Sequence, residues 1–133
     1  MSAAPKRLRQ RGRTMTAERV RRYRLGRFAE AVCAWHLRLR GYRVLARRFR
    51  SPVGEIDLVA RRGRIVAFIE VKARVDRDQA LDAVTPRQRA RVRRAAELFI
   101  AHRPRLAGCD FRFDVMLATP GRLPAHVIDA WRD

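Results

Sequence analysis

Asp57, Glu70 and Lys72 stand where a small domain ordinarily places apolar side chains. The stretch GEIDLVARRGRIVAFIEVKAR, residues 54–74, reads as two strands around a turn, its Ile, Leu, Val and Phe interrupted by Glu55, Asp57, Glu70 and one lysine. Alternation predicts Glu55, Asp57 and Val59 on one face of the first strand, with Ile56 and Leu58 on the other. On the second strand it predicts Phe68, Glu70 and Lys72 together. A two-residue turn at Arg62-Gly63 pairs Asp57 with Phe68 and makes Glu70 its diagonal neighbour, within about 7–8 Å. Two carboxylates so placed can share a hard cation, Mg²⁺ or Mn²⁺, and Lys72 projects toward the same spot. Phosphodiester hydrolysis needs this equipment: an activated water, neutralisation of the charge that develops on phosphate, and a lysine that orients the water or stabilises the transition state. Any one of these residues could be an ordinary solvent-facing strand residue, and Glu70 with Lys72 an exposed ion pair. The set as a whole points to chemistry.

The charge balance agrees. Lys and Arg number 32 against 13 Asp and Glu, a net of +19, and a field that strong suits a polyanionic partner, nucleic acid being the usual one. Residues 1–50 hold 16 basic and 2 acidic residues, so most of the excess lies in the first third. Of the 32, only Lys6 and Lys72 are lysine. A codon bias accounts for the arginine excess. Against that background an internal lysine suggests a task arginine cannot do, since its pKa can be lowered by burial.

The elements that must position these residues follow from periodicity. Residues 1–15 read as a basic flexible tail and 16–133 as a single domain. A helix is predicted from about Thr16, or at the latest Leu25, to Arg40, with Leu25, Phe28, Val32, Trp35 and Leu39 as its apolar face, Trp35 in the core, and Gly41 capping its end. YRVLARRF reads as a first strand with Tyr42, Val44 and Ala46 on one face, broken by SPVG. The hairpin follows, then a polar loop over 75–84. Thr85-Pro86 opens a second helix that buries Val92, Ala95, Ala96 and Phe99 and stops before Pro104. DFRFDVMLA alternates as a half-buried strand and HVIDAW as a last one. The order is α-β-β-β-α-β-β.

The ordered set Ala29-Glu30, Gly41-Tyr42, Gly54-Glu55-Ile56-Asp57, Glu70-Val71-Lys72-Ala73-Arg74, Arg112-Phe113-Asp114-Val115 and His126-Val127-Ile128 resembles the PD-(D/E)XK nuclease core. It is closer still to the YraN-like bacterial family, related to archaeal Holliday-junction resolvases. The resemblance runs from about Gly26 to Trp131. It implies an α/β, restriction-endonuclease-like core: a central mixed sheet of 4–5 strands flanked by helices. It implies Asp57 and Glu70 as metal-binding acids for Mg²⁺ or Mn²⁺, Lys72 as the catalytic lysine, and Glu30 as an extra acid from the first helix. The sequence departs from the pattern at Ile56, where the superfamily name has proline, at Gln88, where many relatives carry lysine, and at Arg48, where they tend to have asparagine.

The expectation is therefore a metal-dependent endonuclease acting on DNA, with branched or structured DNA as the candidate substrate, a homodimer as the candidate assembly, and no small-molecule cofactor. The alternative is a non-catalytic nucleic-acid-binding protein that keeps the fold; a third reading is a ribosome- or RNA-associated basic protein. Arg74, Arg87, Arg91 and Arg94 are the candidate phosphate contacts. Arg112 and Asp114 share a face and pair with each other. His36, His102 and His126 show no ligand spacing and read as incidental. Cys33 and Cys109 read as buried, reduced thiols. No run of 18 apolar residues or secretory core is present, so a cytoplasmic protein off the membrane is expected.

Overall fold

The computed structural model describes residues 16–73 and 84–132. The elements run α1 (Ala17–Leu39), β1 (Arg43–Ser51), β2 (Gly54–Arg62), β3 (Ile65–Lys72), α2 (Pro86–Ala101), a 3₁₀ turn (Pro104–Leu106), β4 (Asp110–Leu117) and β5 (Ala125–Trp131). The five strands form one sheet in the order β1-β2-β3-β4-β5. Only β3 and β4 are parallel; the other pairs are antiparallel. The parallel pair follows from the α2 crossover, which a hairpin could not supply. This is the expected α/β architecture, a mixed sheet flanked by helices. The tail over 1–15, and most of the loop over 75–84, lie outside the described residues.

Each helix seals one face of the sheet. On the α2 side, Val92, Ala95, Ala96 and Phe99 pack against Ile56, Val59, Val66, Phe68 and Val115. On the α1 side, Cys33, Ala34 and Leu37 pack against Leu58, Ala60, Ala67, Ile69 and Met116. Thr85 caps α2 as expected, and with Gln88 it closes a capping box that was not read from the sequence. Thr16 caps α1, and Gly41 closes it at φ +87°, a conformation glycine adopts without strain.

The apolar face predicted for α1 is not the one buried. Phe28, Trp35 and Leu39 are 65%, 64% and 80% exposed, so Trp35 is a surface residue. The helix instead turns Ala29, Glu30, Cys33, Ala34 and Leu37 inward. Small side chains let α1 approach the sheet closely, and that choice carries Glu30 into the interior. Cys109 is half-buried rather than buried, and both cysteines are free. β4 is covered on both faces rather than one: Asp114, Val115 and Met116 are fully buried, as befits a strand between two others with a helix-covered parallel neighbour.

Two irregularities shape the sheet around the acids. A bulge between Val44 and Ala46 leaves Val44 on the α1 side and moves Ala46 to the α2 side, so the two do not share a face as alternation suggested. Three residues on, the alternation breaks again. Ile56 and Val59 both pack on the α2 side, as do their partners Phe49 and Ala46. Between them Arg48 takes φ +55°, a left-handed conformation uncommon for a side chain of its kind and more easily adopted by asparagine. The step turns both strands together and re-aims the residue across from Arg48, which is Asp57.

Gly54 opens β2 where α2 crosses it. A Cβ there would overlap the Arg91 carbonyl oxygen and lie 2.8 Å from its carbon. Backbone cannot yield as a side-chain tip can. Gly54→Ala is therefore expected to lose about 3 kcal/mol, read as a lower urea midpoint with unchanged slope; a variant as stable as wild type would mean that α2 can move off the sheet freely.

Candidate active site

β2 and β3 pair from Arg62↔Ile65 to Leu58↔Ile69 and then part. The hairpin loop is Gly63-Arg64, one residue later than Arg62-Gly63, so Phe68 pairs with Val59 rather than with Asp57. Continued by one pair, this register sets Asp57 directly across from Glu70 instead of diagonal to it. Where the strands separate, the backbone N–H of Val71 donates to Asp57 Oδ2 at 2.8 Å, so a side chain takes over a ladder position. Asp57 and Glu70 lie close enough that each carboxyl acts on the proton affinity of the other. Lys72 Nζ lies 3.6 Å from Glu70 Oε1, both side chains about 15% exposed.

Glu30 reaches the same region from α1. It is buried, its Oε1 accepts no hydrogen bond among the described residues, and Arg48 Nε stands 3.6 Å from that oxygen. Glu30 is thus an interior residue rather than a surface one. Burial raises its carboxyl above the ordinary range, the Asp57 charge adds to this, and Arg48, Arg47 and Arg27 oppose it.

The electrostatics are those of crowded acids. Burial, and next the Asp57 charge, push Glu70 up to about 8, with Lys72 pulling the other way. Burial also raises Asp57, although the Val71 N–H and the Glu70 and Lys72 side chains pull it back in part. Burial thus disfavours ionisation of both carboxyls, and the Asp57 charge adds to the effect at Glu70. Cys33, behind them on α1, is pushed up to about 12 by burial and by the Asp57 and Glu30 charges, which leaves its thiol unreactive.

A family model described as "Uncharacterised protein family UPF0102" matches residues 29–118, a span containing Glu30, Asp57, Glu70 and Lys72. This chain belongs to the UPF0102 family. A UPF0102 protein of Paramagnetospirillum magneticum is 53% identical over 113 residues, 82% of this chain and 88% of that protein. One of Parvibaculum lavamentivorans is 54% identical over 110 residues, 83% of each, and one of Bradyrhizobium diazoefficiens 50% over 114 residues, 86% of each. The YraN-like resemblance read from the sequence is thereby borne out.

In this UPF0102 chain the donor set suits a hard divalent cation. Two carboxyls whose ionisation burial disfavours are relieved by a dication, and Glu30 keeps a buried oxygen without a hydrogen bond among the described residues. Among the described residues no three His, Cys, Asp or Glu side chains converge as a metal cage. Mg²⁺ is commonly held by one or two carboxylates with water and substrate phosphate completing its shell, and Asp57 with Glu70 meets that demand.

The remaining site residues of this UPF0102 member are placed unevenly. Arg91 lines a small cavity with Glu55, Glu70 and Gln88. Arg87 is exposed, and exposed Arg94 donates to the Val53 carbonyl at 3.4 Å. Arg74 lies outside the described residues. Glu55, the third acid of the hairpin, is exposed, 3.8 Å from Arg50.

His126 is not incidental. Its Nε2 lies 2.7 Å from Asp114 Oδ2. Asp114 also takes both arms of Arg112 at 2.8 and 2.7 Å and the Asp129 N–H at 2.9 Å, and Arg112 donates on to the Tyr42 hydroxyl at 2.9 Å. The expected Arg112–Asp114 pair is therefore part of a larger buried network. Its one sequence signal was polar residues at alternate β4 positions; a partner from 12 residues downstream carries none. Among the described residues no helix is long and apolar enough to cross a membrane.

Proposed function

We propose that this protein is a metal-dependent endonuclease that hydrolyses phosphodiester bonds in DNA, with branched or structured DNA as its substrate. One observation carries the reading: Asp57 and Glu70 brought together, both only partly exposed, where β2 and β3 part, with Lys72 Nζ 3.6 Å from Glu70 Oε1, in a chain of net charge +19. Mg²⁺ or Mn²⁺ held by Asp57 and Glu70 would supply Lewis-acid neutralisation of phosphate charge and lower the pKa of the attacking water. Lys72 would donate to a non-bridging phosphate oxygen as charge accumulates there, an interaction strengthened by its low exposure. Glu30 would hold a water at the edge of the acid pair and offset the local arginine charge. Arg91, beside Glu70, would bind a flanking phosphate and position the scissile one.

The test is cleavage of labelled four-way-junction, flap and linear duplex DNA in Mg²⁺, Mn²⁺ or EDTA, with wild type and Lys72→Ala in parallel. Cleavage that needs the metal and falls at least 100-fold in the variant is expected. Tight binding without cleavage under either metal, unchanged in Lys72→Ala, would replace this reading with that of a non-catalytic binding protein.

A further inference from the structure

The nuclease reading leaves a second cluster of charge unused, at the C-terminal end of α1. A cavity of about 280 Å³ there is lined by His36 and Arg40 from the helix end, Tyr42 from the following link, Arg62 from the end of β2 and His126 from β5. Among the described residues neither Arg40 nor Arg62 pairs with a carboxylate, and no carboxylate lines the cavity. Asp114 lies behind His126 but is fully buried and already occupied by Arg112, His126 and the Asp129 N–H.

We propose that this cavity is a phosphate-binding site that takes a phosphate group of a nucleic acid, distinct from the acid pair. Cations at a helix C-terminus by themselves need no ligand, because they complement the helix dipole. That account covers His36 and Arg40. It does not cover Arg62 and His126, which two other elements carry to the same space. The groups are also held in place. Arg62 donates to the Arg40 carbonyl at 3.2 Å and lies 4.5 Å over the Tyr42 ring, which leaves most of its five N–H donors for a ligand. Asp114 orients the His126 imidazole. The Tyr42 hydroxyl, accepting from Arg112, has its own proton to give. Like charges gathered in a concave site repel until an anion enters. Burial, and after it the neighbouring Arg40 and His126, lower the proton affinity of the His36 imidazole.

The position suits a strand running from the acid pair. His36 lies six residues beyond Glu30, about 9 Å along the helix, and Arg62 five residues beyond Asp57, about 17 Å along the strand. At 3.4 Å of rise per nucleotide on each strand, the two sites would be roughly three to five nucleotides apart. The inference rests on the nucleic-acid part of the nuclease reading and not on catalysis.

The first test titrates wild-type protein in EDTA with inorganic phosphate, against chloride at matched ionic strength, and follows the three histidine ring signals by NMR. His36 and His126 should shift saturably in the millimolar range while exposed His102, outside the cavity, moves as it does in chloride. Three equal shifts, or none, would overturn the site. The second compares Arg40→Gln/Arg62→Gln with the charge-matched Arg105→Gln/Arg122→Gln in binding a fluorescent DNA duplex, both in EDTA, with thermal melting to show that each is folded. The cavity pair should bind about tenfold more weakly than the matched pair, with a salt slope smaller by about 1–2; equal losses would overturn the proposal. A 5′-phosphorylated duplex preferred over its 5′-hydroxyl form identifies a terminal phosphate as the ligand, and indifference identifies an internal phosphodiester. None of these readouts involves cleavage, so an inactive protein leaves the site standing, and an empty cavity leaves the acid pair untouched.

Discussion

Glu70→Gln is expected to lose metal-dependent cleavage by a factor of about 10³ or more, and to melt higher than wild type at pH 8 in EDTA. The two effects have one cause. The Glu70 carboxyl, ordinarily near 4.5, is pushed up to about 8 by burial and by Asp57. Between those values the folded chain holds a proton that the unfolded chain releases. The stability contributed by protonated Glu70 is therefore complete below about pH 4.5 and is lost as pH rises through 8. Glutamine keeps the neutral shape and never ionises. At pH 5 the two proteins should melt within a degree or two of each other, and at pH 8 the variant should melt roughly 5–10 °C higher, from a difference on the order of 2–4 kcal/mol. Millimolar Mn²⁺ should raise the melting temperature of wild type and leave that of Glu70→Gln unchanged. A variant that cleaves like wild type would remove Glu70 from the chemistry. One that melts lower at pH 8 would show that the ionised carboxylate is stabilised rather than strained in the fold.

Asp114→Ala is the substitution expected to damage the fold most. Burial alone would raise this carboxyl, yet the hydrogen bonds from His126, Arg112 and the Asp129 N–H together outweigh burial and hold it below the ordinary carboxylate range. Removing it strands the Arg112 guanidinium, 14% exposed, and unties Tyr42, β4 and the β5 bulge at Asp129, where φ is +57°. A loss of about 3–5 kcal/mol follows, seen in urea unfolding. The charge is costly only when left alone, so Arg112→Met with Asp114→Leu should recover part of that loss. A depressed carboxyl contributes stability above its unfolded value near 3.8 and loses it as pH falls through the lower folded value. Wild type should accordingly weaken in acid more steeply than the double variant. If Asp114→Ala unfolds like wild type, the network is not what joins the link after α1 to β4 and β5.

The acid pair and the polar network illustrate different depths of legibility. Hairpin alternation placed Glu70 and Lys72 correctly, because β3 keeps its two-residue period from Val66 to Val71. The same rule misjudged β2 and β1. Their period breaks at Asp57 and Arg48, and a bulge is an agreement between two strands that neither announces alone. The hairpin register slipped in the expectation because Arg62-Gly63 and Gly63-Arg64 are both acceptable two-residue turns. Only the packing of Phe68 across from Val59 on the α2 side distinguishes them.

By itself the sequence determined the order of the elements, the Thr85 cap of α2 and the Gly41 end of α1, the α2 core face, the hairpin and the presence of two acids and a lysine on it. Each is a local property, written in the spacing of side chains and in residues such as Thr85, Pro86 and Gly41 whose backbone preferences act within a few positions. Tertiary structure decided which of two apolar stripes on α1 would be buried, since both satisfy the helical period and only the sheet's shape selects the smaller side chains. That choice brought Glu30 beside Asp57 and left Trp35 outside. It also decided that His126 meets Asp114 and that Arg62 lines one cavity with His36, placements that bring together residues from different strands and helices. Such contacts depend on how strands order and helices cross, which is settled by burial across the whole sheet and not by any segment of it.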